Sequence, residues 1–260
     1  MNTEKITHLL RRMNLGSTIT MLFLVAIWST PTVGLLITSL RPSSLAETSP
    51  WWEALFNPLN TVWTLDAYQA SLESGMLASL INTIAVTVPA TILPLMIAAN
   101  AAYAFTFLKF RGKEFFFATL VALMVIPVQS SLIPVLRGMV WVQNTFDIQL
   151  TGTYVSAWLV HSAFAMPLAI YTLRNYMMTL PVSLIEAAKV DGASFYQIFW
   201  RLVLPMSAPA IASFAIFQFL WVWNDYLVAL IFIGANPDAQ VLTIRLANIV
   251  GSRGNDWHLL

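Results

Sequence analysis

The chain has 260 residues, of which 58% are hydrophobic and only 10% charged. An ordinary water-soluble domain carries about a quarter charged residues, so this composition excludes most soluble readings and makes a lipid bilayer the expected solvent. With 13 Lys and Arg against 12 Asp and Glu the net charge is +1, which offers nucleic acid no basic field, and the absence of cysteine removes disulfide frameworks, thiolate zinc sites and cysteine nucleophiles.

In chain order, the first element is a short stretch in which Ile6, Leu9, Leu10 and Met13 share one helical face beside Lys5, Arg11 and Arg12. That pattern predicts a helix lying in the membrane interface over residues 1–17. Charge-free runs follow at Met13–Leu40, Ser74–Leu108, Phe115–Leu136, Ile148–Leu173 and Leu202–Asn224. Each is long enough to cross a bilayer, which takes roughly 20 residues of helix. They predict five spans, over about 18–40, 80–108, 115–136, 149–173 and 206–231. The first is too long for the apolar core of a secretory signal and lacks a cleavage site behind it, so it is expected to stay as an anchor. The second is longer than one crossing needs, and its start, Ser74–Leu80, is expected to lie in the interface. Pro89, Pro94, Pro127, Pro134 and Pro167 are expected to break or kink the spans that hold them. After the fifth span a tail over 234–260 reads as a loop of mixed character.

The cations orient these spans. With a cytoplasmic N-terminus, Lys5, Arg11, Arg12, Lys109, Arg111, Lys113, Arg174, Lys189 and Arg201 lie inside, and only Arg41, Arg137, Arg245 and Arg253 lie outside. The excess of inner Lys and Arg favours this topology. Trp51, Trp52 and Trp63 in the first outer loop, and Trp221 and Trp223 near the end of the fifth span, suit aromatic belts at the interface.

The inventory of chemical groups is mostly exclusion. The chain has no G-x-x-x-x-G-K-[ST] loop for nucleotide phosphates and no H-E-x-x-H metal pair, and its three histidines give no ligand set for a metal. The first four spans hold no carboxylate, which argues against an ion-coupled carrier. His161 is expected to be a packed histidine hydrogen-bonded to a neighbour. Asp225, about one span length beyond Pro205, is expected at the outer interface and not in a buried position. Polar groups within spans are the candidates for a solute pathway: Asn82, Asn100, Gln129, Gln218, Asn224 and Asp225. Sugars call for paired donors and acceptors with an aromatic face, so Gln218 with Trp221 and Trp223 would suit one. A phosphorylated solute would call for Lys or Arg inside a span, and none of the five runs holds one.

The inner segment 174–205 stands apart from its surroundings. A first short helix is expected after Pro181, or from a Ser183–Glu186 capping pair, and Asp191-Gly192 should stop it near Val190. Ser194 three residues before Gln197 repeats the capping signal, and Pro205 is expected to end the second helix. The result is a helix-turn-helix elbow whose small Ala187, Ala188 and Gly192 permit close approach by another protein, with Phe195, Tyr196, Phe199 and Trp200 as apolar anchors.

This stretch, EAAKVDGASFYQIFWRLVLP, resembles the EAA motif of ABC-importer permeases: Glu186, Ala187, Ala188, Gly192, Leu204 and Pro205 match it, and Leu202 stands where isoleucine is usual. Ser39-Leu40-Arg41-Pro42, Asn100 to Phe105 and Trp223-Asn224-Asp225 are similar to carbohydrate permeases of the maltose type. The run ASFAIFQFLWVWND and the closing GSRGNDWHLL resemble the branch for alpha-glucosides and glucosylglycerol.

The resemblance implies an all-α polytopic bundle of the type I importer kind in the bacterial inner membrane. Five spans are expected in this chain, one fewer than the family's six. It also implies a second permease completing the pore, two ATP-binding subunits that hold ATP and Mg, and an extracytoplasmic sugar-binding protein. The elbow residues Glu186, Ala187, Ala188, Gly192, Leu202, Leu204 and Pro205 would dock on the ATPase, while the chain itself would bind no cofactor or metal and catalyse nothing. The loop from Gly234 to Arg253 would reach into the binding protein's cleft and help dislodge the sugar. A permease for another solute such as glycerol phosphate, and a non-transporting scaffold, are the competing readings.

Overall fold

The computed structural model describes residues 15–234, 236 and 238–253. The expected interfacial helix before residue 15 and the closing residues 254–260 lie outside them. Among the described residues the structure is helical with no strand. The chain divides into two compact units, residues 1–76 with 246–260, and residues 77–245.

In the first unit, α1 runs over Leu15–Ser39, close to the expected span. Its side chains stay outward: Phe23 is 63% and Trp28 81% exposed, which suits a helix with lipid around it. Past it, α2 (Ser43–Thr48), α3 (Glu53–Phe56) and α4 (Asp66–Glu73) fold the polar loop into short turns. Arg41, buried, organises that loop by donating to the carbonyls of Leu45 and Ser49 and to the Ser49 hydroxyl. Gly34 lets the Trp51 indole pack closely against α1, since a Cβ there would sit 3.1 Å from the ring.

The second unit is built around two long helices, α5 (Met76–Phe107) and α8 (Tyr154–Met177). α5 has 32 residues, about 48 Å at helical rise, and it starts as continuous helix from Met76; the expected interfacial start is not a separate piece. It passes Pro89 and Pro94 without a break, as α8 passes Pro167. Inside a bundle, neighbouring helices and Thr side chains take up the groups a proline frees, so these prolines do not break their helices as expected. Ala98, Ala99 and Ala102 of α5 are buried in one cluster with Ala169, Ile170 and Leu173 of α8. Small residues let helix backbones approach closely where lipid gives no hydrophobic drive between helices.

Between these two, the third predicted span is not one straight crossing. α6 (Lys113–Leu123) and α7 (Val128–Phe146) meet at 106°. Pro127 is the reason: it holds extended backbone at ψ 130°, has no N–H to continue a helix, and disfavours helix in Ile126 before it. α7 also runs past the predicted end of the span and carries Arg137 on the helix itself, a cation that the sequence placed in a loop.

The elbow follows as α9 (Val182–Val190) and α10 (Phe195–Met206), and then α11 (Ala208–Trp223) and α12 (Leu227–Phe232). The fifth predicted span is therefore divided. α10 and α11 meet at 70° around Ser207, and residues 224–226 separate α11 from α12. By length and composition three helices are long and apolar enough to cross a membrane, or five if each bent pair counts as one span. The tail expected to be a loop contains a helix, α13 (Leu242–Arg253), whose first turn is tied to α5: Leu242 N–H donates to Thr83 Oγ1 and Arg245 Nε to Ser79 Oγ, each at 2.8 Å.

Candidate functional site

The elbow is assembled by local rules. α9 starts directly after Pro181, and the alternative start at Ser183 is not used. It stops at Gly192, which takes φ +80°, a left-handed conformation that glycine adopts without penalty. The turn is closed by Gly192 N–H donating to Lys189 O at 3.0 Å and Ala193 N–H to Ala188 O at 2.9 Å. Ser194 and Gln197 then form a reciprocal capping box. The second helix does not end at Pro205. It widens into a π-turn over Phe199–Val203, carries through Pro205 to Met206, and bends at Ser207, whose N–H donates to Val203 O at 2.9 Å. Proline removes one donor, and the wider turn accommodates that loss without ending the helix.

The elbow's outward face is apolar and exposed. Glu186, Ala187, Gly192 and Pro205 are exposed and Ala188, Leu202 and Leu204 half-buried, with Val190 at 87% and Tyr196 at 78%. A Cβ on Gly192 would meet nothing within 4 Å, so the turn faces open space. On the inner side, Ile185, Ile198, Phe199 and Val203 belong to the same buried cluster as Tyr103 of α5 and Leu173 of α8. The elbow is thus joined rigidly to both long helices.

The predicted pathway residues separate into groups. Gln218 and Trp221 line one cavity of about 450 Å³ between α6, α7, α8 and α11, with Ser131, Phe164, Phe214 and Phe217. Gln218 is fully buried, donates from Nε2 to Ala90 O at 3.2 Å, and has no hydrogen-bond partner for Oε1. Trp223 turns away from that cavity and stacks on Phe219 at 5.4 Å. Gln129 is exposed, and Asn224, also exposed, donates to Leu220 O. Asn100 is exposed beside the elbow, donating to Met96 O. Asn82 is a tie between elements: its amide nitrogen donates to the carbonyls of Asp238 and Gln240, and its oxygen accepts from the Tyr154 hydroxyl at 2.7 Å.

Asp225 is more enclosed than the sequence suggested, its side chain 12% exposed. It accepts from Val228 N–H at 3.4 Å and Ala229 N–H at 2.9 Å, the first turn of α12. His161 departs from expectation as well. It is 1% exposed, neither ring nitrogen has a hydrogen-bond partner, and its Nε2 stands 3.6 Å from Asp225 Oδ2. No local pattern signals this pairing, because 63 residues separate the two in the chain and they meet only through the packing of separate helices. Among the described residues no group of three or more His, Asp or Glu could hold a metal ion.

Two long apolar helices, two bent helix pairs and an exposed helix-turn-helix fixed to their common core define a polytopic membrane permease component. The sequence pattern of the family described as binding-protein-dependent transport system inner membrane component matches residues 90–252, and the chain belongs to that family. It is 47% identical to the osmoprotective compounds uptake permease protein GgtD of Synechocystis sp., over all of this chain and 85% of that protein. It is 50% identical to the alpha-glucoside transport system permease protein AglG of Rhizobium meliloti, over 76% of this chain and 52% of that one. The fold is shared with a chain of a bacterial ABC transporter involved in the import of the acidic polysaccharide alginate, at a TM-score of 0.74 and 20% identity, covering 97% of this chain and 83% of that one.

Proposed function

We propose that this chain is one permease subunit of an ATP-driven importer, forming half of the pore for a neutral sugar or polyol of the alpha-glucoside and compatible-solute class. A second permease completes the pore, an extracytoplasmic binding protein delivers the solute, and two ATP-binding subunits carry the nucleotide and Mg. The chain hydrolyses nothing itself. The N-terminus and the elbow lie on the cytoplasmic side.

The observation that carries the reading is the elbow. Its two short helices meet at a left-handed Gly192, expose Ala187 and Tyr196, and share a buried core with α5 and α8. A lever of this kind converts movement of a docked ATPase into rotation of the crossings. Glu186, Ala187, Ala188 and Gly192 form its docking face, and Leu202, Leu204 and Pro205 carry the motion toward α11. The substrate class rests on two kinds of support. The relatives are named for alpha-glucosides and osmoprotective compounds, and the cavity lined by Gln218 and Trp221 brings an amide side chain and an indole to one place, the pair a hydroxylated solute calls for. Gln129, Trp223, Asn224 and Asp225 belong to gates or walls of the route and not to this cavity.

The test is ATP hydrolysis by the chain reconstituted with its partner permease, ATP-binding and solute-binding subunits, with and without alpha-glucosides or glucosylglycerol. Wild type is expected to be stimulated by one of these solutes. Gly192→Asp, which forces a side chain into the left-handed turn on the docking face, is expected to lose at least tenfold of that stimulation. An assembled wild-type complex that responds to none of them overturns the substrate class.

A further inference from the structure

His161 lies in the first half of α8 and has no role in the reading above, yet it touches two of the residues assigned to the route. Its ring meets the Trp221 indole edge-on, centroids 5.7 Å apart at 90°, and its Nε2 faces the Asp225 carboxylate at 3.6 Å. Around it is a small cavity of about 10 Å³, shared with Thr87, Thr83, Asp225 and Thr243. That is room for roughly one water molecule. Thr87 Oγ1 and both ring nitrogens are buried there without a partner, and Thr87 and His161 are 0% and 1% exposed.

Buried polar groups are nearly always hydrogen-bonded, and an ionisable side chain inside a span marks function more often than packing. Asp225 is not free to move independently. It caps α12 through two N–H groups, and its backbone carbonyl accepts from Thr243 Oγ1 at 2.6 Å. Whatever holds its carboxylate therefore holds the break between α11 and α12.

We propose that His161 is a positioning residue of the solute route: wedged between Trp221 and the Asp225 carboxylate, and sharing one water with Thr87, it sets where the last crossing breaks and how Trp221 faces the cavity beside Gln218. This rests on the pathway reading above. The site takes no solute itself; it fixes the groups that do.

The importer reconstituted in lipid vesicles tests this. His161→Leu, which keeps bulk and removes both nitrogens, is expected to lower maximal solute transport at least tenfold while leaving the half-saturating solute concentration within twofold. His161→Gln, whose amide can still face Asp225 and Thr87, is expected to keep at least a third of the rate, and Thr87→Val to fall between. Because His161 acts through Asp225, the double variant His161→Gln/Asp225→Asn is expected to be no slower than the slower single one. Losses that multiply, or a His161→Leu protein at the wild-type rate, overturn the assignment.

If His161→Leu does not assemble, the Gln variant and the double variant decide by the same criterion. A second readout needs no solute. These 260 residues contain no cysteine, so Asn224→Cys, an exposed position at the break, reports its surroundings through its rate of modification by a water-soluble thiol reagent. His161→Leu is expected to change that rate at least threefold and His161→Gln by less. An unchanged rate sinks the positioning role, whereas a changed rate in a complex that transports none of the solutes sinks only the substrate class.

Discussion

Asn82 shows how little a residue's type says about its use inside a membrane. A polar amide in a span suggests a contact for solute, but here it is spent on the carbonyls of Asp238 and Gln240 and on the Tyr154 hydroxyl. Asn82→Ala leaves those groups without their partner in a buried setting. It is expected to cost about 1–3 kcal/mol, the penalty for an unsatisfied buried polar group, read as a lower melting temperature of the purified protein in detergent. Gln218 is the opposite case: its amide nitrogen is tied to Ala90 O, its oxygen is buried without a partner, and the residue lines a cavity. Both residues were visible in the sequence as polar positions within apolar runs. Which end of each amide was occupied was not, because the partners lie 72 and more residues away in the chain.

At the scale of elements, the local code was most legible where short-range hydrogen bonds decide the outcome. The elbow's stop at Gly192 and the capping box at Ser194 and Gln197 were both readable from residue types three or four apart. Ser194→Ala is expected to destabilise the start of α10 by about 1 kcal/mol. A faster hydrogen exchange of the Phe195–Ile198 amides, with those of α8 unchanged, would register it. The bends were less legible. Pro127 and Pro205 are equally proline, yet the first separates two helices at 106° and the second sits within a helix that bends two residues later. The difference lies in the neighbours: a widened turn absorbs Pro205, while Ile126 and Pro127 adopt no helix at all. Replacing Pro127 with Leu restores the missing donor and is expected to straighten the α6–α7 junction. A spin-label pair at Phe116→Cys and Val140→Cys would then show a longer separation; an unchanged distance would mean that packing against α8, and not proline, sets the angle.

For the whole molecule, the reading requires that the elbow face the ATP-binding subunits. The proposed orientation rests on the excess of Lys and Arg on one set of connections. A reporter active only in the cytoplasm, inserted after Val190, is expected to be active, and the same reporter inserted near Asn57 silent. The reverse pattern would turn the chain over and remove the docking role of Glu186 to Gly192.

Composition and periodicity determined by themselves that this is a helical membrane protein, roughly where its spans fall, and where the elbow starts and turns, because those properties depend on stretches of neighbouring residues. The tertiary structure alone decided that the third and fifth crossings are bent, that the tail after the fifth forms a helix tied to α5, and that His161, Thr87, Trp221 and Asp225 converge. These outcomes depend on which helices pack together: a buried polar group or a proline's lost donor is resolved by whatever residue stands opposite it, and a linear sequence does not state what stands opposite.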